Sequence, residues 1–479
     1  MTMRIGNRWR WVLLCGGVIA CTNESPSGSD GTEDTTTMDA TTGSTSTESG
    51  DATTSSAEVS TSTDDSGSSG SGESSSSTGE PHDPNEDIPP LDEEGCHGLY
   101  AQDIMPTFEL TIHPTIWEQL EWEWNNGPAN EDAGVETAPY HSLQEFRYGD
   151  IVITDASIRL RGNPTWWTPL PGDKMQFQIG FHTQDPEGRF LGLRRLALDA
   201  ATFNRHMLRD RLALAVMRRV GIRAPCANHA RVNVNGEYYG LFTNIEKLDE
   251  EFLERTMEDP TGDLWKRANW QLKTNEDTAS LYRLNELRNA VDVTTLDYFF
   301  DIEQALRVYA AEAVIPDSDG AWAGGLNWYL YDDPHRGKFM LLPWDKDNTF
   351  ERFDDEPDGD YPLNPDPFTW EKPTTHGRKF YDLALTDPAN FALYIDIVDE
   401  VLHQGYDPDQ MLAWIDEWSA QIEQAVLDDV NKPYSNNLYY NRLEDLREYV
   451  PQRYDFVDQW LACWQQGGVD DGTGHCVEL

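Results

Sequence analysis

Residues Asp317 to Phe350 read DSDGAWAGGLNWYLYDDPHRGKFMLLPWDKDNTF. Two apolar runs, Asn327 to Tyr331 and Phe339 to Leu342, flank a link containing Asp333-Pro334 and Arg336-Gly337. Strand-like runs joined by so turn-rich a link predict a β-hairpin. Its open end then collects oxygen-bearing side chains, Asp319 and Asn327 on one side, Asp345 and Asp347 on the other. Hard oxygen ligands gathered there suit Mg²⁺, which takes one or two carboxylates plus substrate phosphates. The plainer alternative is a surface hairpin with solvated acids. The apolar runs speak against it, because they bury the bases of the carboxylates.

Around this stretch lies a chain of 479 residues, long enough for two or three ordinary domains. Its 36 basic and 85 acidic residues give a net charge of −49, which argues against nucleic acid or an anionic membrane surface as a partner. Residues 22–95 hold 18 of the acids and neither Lys nor Arg. The 17 Trp lie almost entirely beyond residue 95, so a large core is expected there.

Residues 1–21 have the layout of an export signal, with Arg4, Arg8 and Arg10 ahead of a short apolar stretch. Val18-Ile19-Ala20-Cys21 resembles a bacterial lipobox, which marks Cys21 for lipidation. A plain secretory signal is the alternative, and the apolar stretch is too short for a membrane span. Residues 22–95 are mostly Ser, Thr, Gly, Asp and Glu, a composition that cannot offset its ordering entropy and predicts a disordered stalk. Together these features predict an exported bacterial lipoprotein at the outer membrane or cell surface, touching the membrane only through its lipid.

The folded part is expected over residues 96–466, with residues 467–479 as a tail. Strands are predicted at Phe108–Ile112, Ile151–Ile153, Ser157–Arg161 and Lys174–Phe181. Ala230–Val234 and Tyr238–Thr243 flank Asn235-Gly236, the strongest hairpin signal in the chain. Helices are predicted at Pro114–Trp124, Arg205–Val220, Thr294–Ala313, Pro388–Gln404, Pro408–Val430 and Tyr440–Gln465. The class is α+β, with a sheet-rich front and a helical back. Four cysteines remain after processing, an even set that suggests two disulfides in an exported protein. Cys463 with Cys476 closes a short loop and leaves Cys96 with Cys226. Lys174, near the start of its strand, is an exposed residue in the ordinary case and a point-charge clamp if a phosphate lies opposite.

Taken in order, IRLRGN, KMQFQI, VNGEYYGLFTNIEKLD, LWK, DSDG…NWYLY and PWDKDNTF resemble the CotH family of spore-coat-type atypical protein kinases, over roughly residues 104–465. The resemblance implies a distant protein-kinase-like fold that binds ATP and Mg²⁺ (or Mn²⁺) and phosphorylates Ser or Thr on secreted proteins. On the family pattern Asp319 is the catalytic-loop carboxylate, and Asn327 and Asp345 are metal ligands assisted by Asp347. Lys174 holds the ATP phosphates and pairs with Glu246, with Arg161 and Lys266 as further nucleotide contacts. Two departures stand out. There is no G-x-G-x-x-G loop, and Asp319 lies eight residues before Asn327 where an ordinary kinase has five. A shifted alignment hands the catalytic role to Asp317. A binding or adhesion module that keeps the fold without turnover is the alternative function. A hydrolase has little support, with neither G-x-S-x-G nor H-E-x-x-H present. The Ser- and Thr-rich stalk is itself a candidate acceptor, beside Ser-rich surface partners.

Overall fold

The computed structural model describes residues 88–92, 94–162, 174–267, 270–323, 325–350, 365–368, 378–471 and 475–477. The expected signal, the lipidation candidate Cys21 and the stalk through residue 87 lie outside the described residues. Residues 88–92, 94 and 95, assigned to the stalk by composition, instead belong to the fold. Leu91 bridges His97, and Asp92 Oδ1 accepts the Cys96 N–H at 2.8 Å.

Among the described residues the front of the molecule is a nine-stranded sheet. Its strands are β1 (Thr107–Thr111), β2 (His141–Ser142), β3 (Glu145–Tyr148), β4 (Ile151–Ile153), β5 (Ser157–Leu160), β6 (Phe177–Gly180), β7 (Arg195–Asp199), β8 (Ala227–Val234) and β9 (Glu237–Ile245). Their spatial order is β2-β5-β6-β7-β9-β8-β1-β3-β4, antiparallel except where β1 meets β8. The β8–β9 turn places Asn235 and Gly236 at φ 53° and 84°, the positive pair that a two-residue hairpin needs. Side chains alternate across β9: Leu241 and Ile245 enter the core shared with the helices, while Phe242 enters the core beneath α1 (Pro114–Asp132). Helix α2 (Arg209–Arg219) covers the helical side through Leu212 and Val216. The Cys96–Cys226 disulfide ties the start of the fold to the start of β8.

A second, four-stranded sheet carries the predicted central hairpin, in the order β11-β10-β12-β13. Here β10 is Asp263–Lys266, β11 Gln271–Leu272, β12 Trp328–Asp333 and β13 Lys338–Pro343. The ladder runs from Trp328 opposite Pro343 to Asp333 opposite Lys338. Helix α3 (Glu250–Thr256) joins the two sheets in sequence.

The back is helical, in α4 (Leu281–Arg288), α5 (Val293–Phe299), α6 (Ile302–Val314), α7 (Lys379–Ala384), α8 (Pro388–Glu400), α9 (Pro408–Asp428) and α10 (Asn436–Gln465). The helix expected over Thr294–Ala313 is two helices. Asp301 ends the run by donating its N–H to Phe339 O at 2.9 Å and capping α6 through its side chain. Arg453 of α10, fully buried, donates to Ala313 O and Val314 O at the end of α6 and to Pro365 O. The tail folds back as β14 (Val469–Asp470) and β15 (Cys476–Val477), fixed by the Cys463–Cys476 disulfide.

Candidate active site

Two loops meet at the open end of the central hairpin. The first, residues 317–327, leaves α6; the second, residues 344–350, leaves β13. They are stitched together by Trp344 N–H to Asn327 O at 3.1 Å and Ser318 N–H to Asn348 O at 3.1 Å. The long Asp319-to-Asn327 interval closes on itself, because Gly320 O accepts the Gly325 N–H at 2.8 Å. That turn returns Asn327 to Asp319, whose Oδ2 accepts the Asn327 Nδ2–H at 2.8 Å. The extra residues therefore cost the pairing nothing. Asn327 and Asp345 sit at φ 33° and 55°, a region sparsely populated by residues other than glycine. Holding each there costs on the order of 1 kcal/mol, which marks both bends as imposed by the surroundings.

Carboxylates crowd this end. Asp199 ends β7, Asp210 lies in the first turn of α2, and Asp345 and Asp347 follow β13. Arg161 reaches across from the end of β5 to hydrogen-bond Asp199, and the charges of Asp345, Asp210 and Asp347 also act on it. Burial raises the Asp345 carboxyl; Arg161 opposes and Asp199 adds to the rise. Asp347 is pushed well above the usual range by burial and then by Asp345 and Asp210. Asp210 is pushed up to about 8 by burial, Asp345 and Asp199. Asp319 is raised to about 7 by burial, with Asp317 and Asp345 contributing. The second loop is anchored to α2, as Asp210 Oδ1 accepts Lys346 N–H at 2.8 Å and Arg209 donates to Asp347 O at 2.7 Å.

A group of lysines lies nearby, and the charge of one of them, Lys266, acts on Asp345. Lys266 of β10 lies opposite Tyr329 in the ladder, and the Tyr329 ring meets Trp344 edge-on at 6.0 Å. Lys247, two residues beyond β9, places its ammonium 4.6 Å from the centre of the Trp344 ring. Lys273 follows β11. Among the described residues none of the three closes an ion pair or hydrogen bond through its ammonium. Burial lowers the Lys247 ammonium well below its ordinary value, helped by Lys266 and Arg161. Lys266 is lowered by burial, with Asp345 opposing, and Lys273 falls to about 8 through burial and Lys266. Partly buried ammonium groups that close no ion pair among the described residues, near carboxylates crowded against one another, give a site whose chemistry suits both a polyanion and a metal ion.

A model of the family described as CotH kinase protein matches residues 158–457. The chain belongs to that family. Among curated proteins it is similar to the inner spore coat protein H of Bacillus subtilis (strain 168), 23% identical over 279 residues that cover 52% of this chain and 70% of the relative. Among solved structures it is matched to the Helicobacter pylori proinflammatory kinase CtkA at 8% identity. That match covers 60% of this chain and 92% of the other with a TM-score of 0.29, too slight to bear on the fold. The CotH region contains both loops, α2 and the three lysines.

Two expectations drawn from the CotH pattern do not hold. Lys174 does not pair with Glu246. It is fully buried, donates to Asp429 Oδ2 at 2.8 Å and to Leu241 O, and stands 4.5 Å over the Phe242 ring. Glu246 instead accepts from Arg255 at 2.8 Å and from the Cys226 N–H at 2.9 Å. The two residues meet β9 at Leu241 and at its far end, five residues or about 16 Å apart along a strand, beyond a side chain's reach. Closed on Asp429, Lys174 is in no position to clamp a phosphate. Nor is Asp317 open to a substrate, since it is fully buried against Lys346 at 2.6 Å. Lys247, Lys273, Asp199 and Asp210 escaped the sequence reading. The block NIEKLD held a signal for Lys247, an ammonium two residues past a strand and next to the expected Glu246. Asp210 gave none, because inside the helix expected over Arg205–Val220 a single acid reads as a solvated side chain.

Proposed function

We propose that this CotH-family protein is a kinase that moves the γ-phosphate of ATP to Ser or Thr of exported or surface proteins, with Mg²⁺ or Mn²⁺. The observation that carries the reading is the Asp319–Asn327 hydrogen bond, with the charge of Asp345 acting on Asp319 and Lys266, which closes no ion pair among the described residues, acting on Asp345. Phosphoryl transfer asks mainly for positioning and charge neutralisation, and the two banks of charge suit both. The raised carboxyls at Asp210, Asp345 and Asp347 fit a site short of one cation. Asp345 and Asn327, supported by Asp347, would hold the metal. Among the described residues no three His, Cys, Asp or Glu side chains form a cage for it, so phosphate and water would complete the coordination. ATP with its metal supplies the transferable group and the charge balance. Lys247 and Lys266 would bind the phosphates, while Arg161 restrains Asp199. Asp319, with its carboxyl near pH 7, is basic enough to take the proton of an acceptor hydroxyl and orients that hydroxyl.

The test is incubation of the full chain, oxidised, with labelled ATP, Mg²⁺ or Mn²⁺ and a Ser-rich acceptor, beside Asp345→Ala. Label transferred by the wild type and not by the variant supports the reading. Nucleotide binding without transfer points to a missing acceptor, and no binding at all gives way to the adhesion module. Mass spectrometry of the same sample reads whether residues 22–80 take up phosphate. The proposed lipid anchor is checked separately, by an N-terminal peptide that begins at Cys21 and carries acyl chains.

A further inference from the structure

Behind the two loops lies a fully buried group of charges that no substrate can touch. Lys346 Nζ donates to Glu312 Oε1 at 2.8 Å and to Asp317 Oδ2 at 2.6 Å, and all three side chains have zero exposure. The other oxygen of each acid is committed to the first loop. Glu312 Oε2 accepts the Trp322 N–H at 2.7 Å, and Asp317 Oδ1 accepts the Asp319 N–H at 3.1 Å. The backbone N–H of Lys346 meanwhile donates to Asp210. Gly320 is enclosed by the group, for a Cβ there would run into Asp317 Oδ2 and come within 2.7 Å of Glu312 Cδ. One ammonium thus fixes the backbone on either side of Gly320, while its own residue lies between Asp345 and Asp347.

Stability does not account for such an arrangement. Taking three charges out of water offsets most of their attraction, and apolar replacements of similar volume are often neutral or stabilising. What directional bonds supply, and apolar packing does not, is a fixed distance between three pieces of chain: α6, the first loop and the second loop.

We propose that Lys346, with Glu312 and Asp317, is a positioning latch that sets the loop bearing Asp319 at a fixed distance from the loop bearing Asp345. The catalytic consequence rests on the kinase reading; the fixing of the loop does not. The experiment takes the full-length oxidised protein as wild type, Lys346→Met and Glu312→Gln/Lys346→Met. The double variant keeps one net negative charge in the group, as in the wild type, and leaves Trp322 an acceptor, so it guards against a single variant that fails to fold. Amide hydrogen exchange is followed by mass spectrometry over residues 317–323 and over the nine-stranded sheet, and kcat and KM for ATP are measured in parallel. The latch predicts exchange at least about 10-fold faster in 317–323 with the sheet unchanged. It also predicts kcat lower by about 100-fold, the usual consequence of an ångström-scale misplacement, with KM within about threefold. Wild-type exchange and kcat in a folded variant overturn it. So does fast exchange throughout the sheet in both variants, because the group is then a requirement of the whole fold. A wild type without phosphotransfer sinks the kinase reading alone and leaves the exchange measurement to decide the latch.

Discussion

Lys174 and Asp429 lie fully buried and meet each other at 2.8 Å; Leu241 O accepts from Lys174, Leu241 N–H donates to Asp429 Oδ2 at 3.0 Å, and Asn431 N–H donates to Asp429 Oδ1 at 3.0 Å. Gly240 leaves room for them, since a Cβ there would meet Asp429 Oδ2 at 2.7 Å and Lys174 Cδ at 2.8 Å. Around Asp345 the same kinds of group are left unfinished. Carboxylates crowd one another, and Lys247, Lys266 and Lys273 close no ion pair among the described residues. In a chain of net charge −49, three neighbouring lysines that close no ion pair among the described residues stand out. Charges that build the fold are closed within the chain, whereas on the kinase reading the charges left open await nucleotide and metal.

That contrast can be broken by substitution. Asp345→Ala should abolish phosphotransfer, by about 1,000-fold or more, while leaving the melting temperature unchanged or higher because a crowded charge has gone. A variant that melts well below the wild type would place Asp345 with the structural charges. Asp429→Ala should do the reverse and cost about 3–5 kcal/mol of unfolding free energy by denaturant titration, since it strands a buried ammonium. Lys174→Met/Asp429→Leu should recover most of that loss. A double variant as unstable as the single one would show that the pair is more than mutual neutralisation. Lys247→Met should raise KM for ATP by about 10-fold with little change in stability, as expected on removing one phosphate contact. An unaltered KM would return Lys247 to the bystanders.

Two pH effects sharpen the comparison further. With Asp319 at about 7, kcat should climb as pH passes through that value and level off above it, because the carboxylate is the active form. A flat profile between about pH 6 and 8 would remove Asp319 as the base. Asp210, at about 8 in the fold against an ordinary 3.8, keeps a proton that the unfolded chain gives up. Its contribution therefore lowers stability progressively as pH rises from about 4 to about 8. Mg²⁺ should then raise the melting temperature more near pH 8.5 than near pH 5.5, by a few degrees, and equal shifts would count against a metal among these acids.

The sequence carried both hairpins plainly, because alternation and turn chemistry are local. Asn235-Gly236 needs only two residues to declare a turn, and the pairing of Trp328 with Pro343 follows from the runs on either side. The meeting of Asp319, Asn327 and Asp345 at one end was legible for the same reason. What escaped is non-local or hidden in a regular period. Lys174 finds Asp429 across 255 residues, and no pattern near Lys174 distinguishes that partner from Glu246. The break between α5 and α6 depends on Phe339, a residue of another strand. Asp199 belongs to β7, a strand the periodicity did not reveal, so its place among the acids could not be read either.

Arg453 gives the order of synthesis a meaning. Its guanidinium holds the last carbonyls of α6, the helix from which the loop bearing Asp319 departs. A chain still emerging from the ribosome possesses every acid of the site long before residue 453 has been added. Until then the end of α6 lacks this donor. A chain truncated between residues 350 and 453 would keep Asp319, Asn327 and Asp345 yet leave the last carbonyls of α6 without that donor.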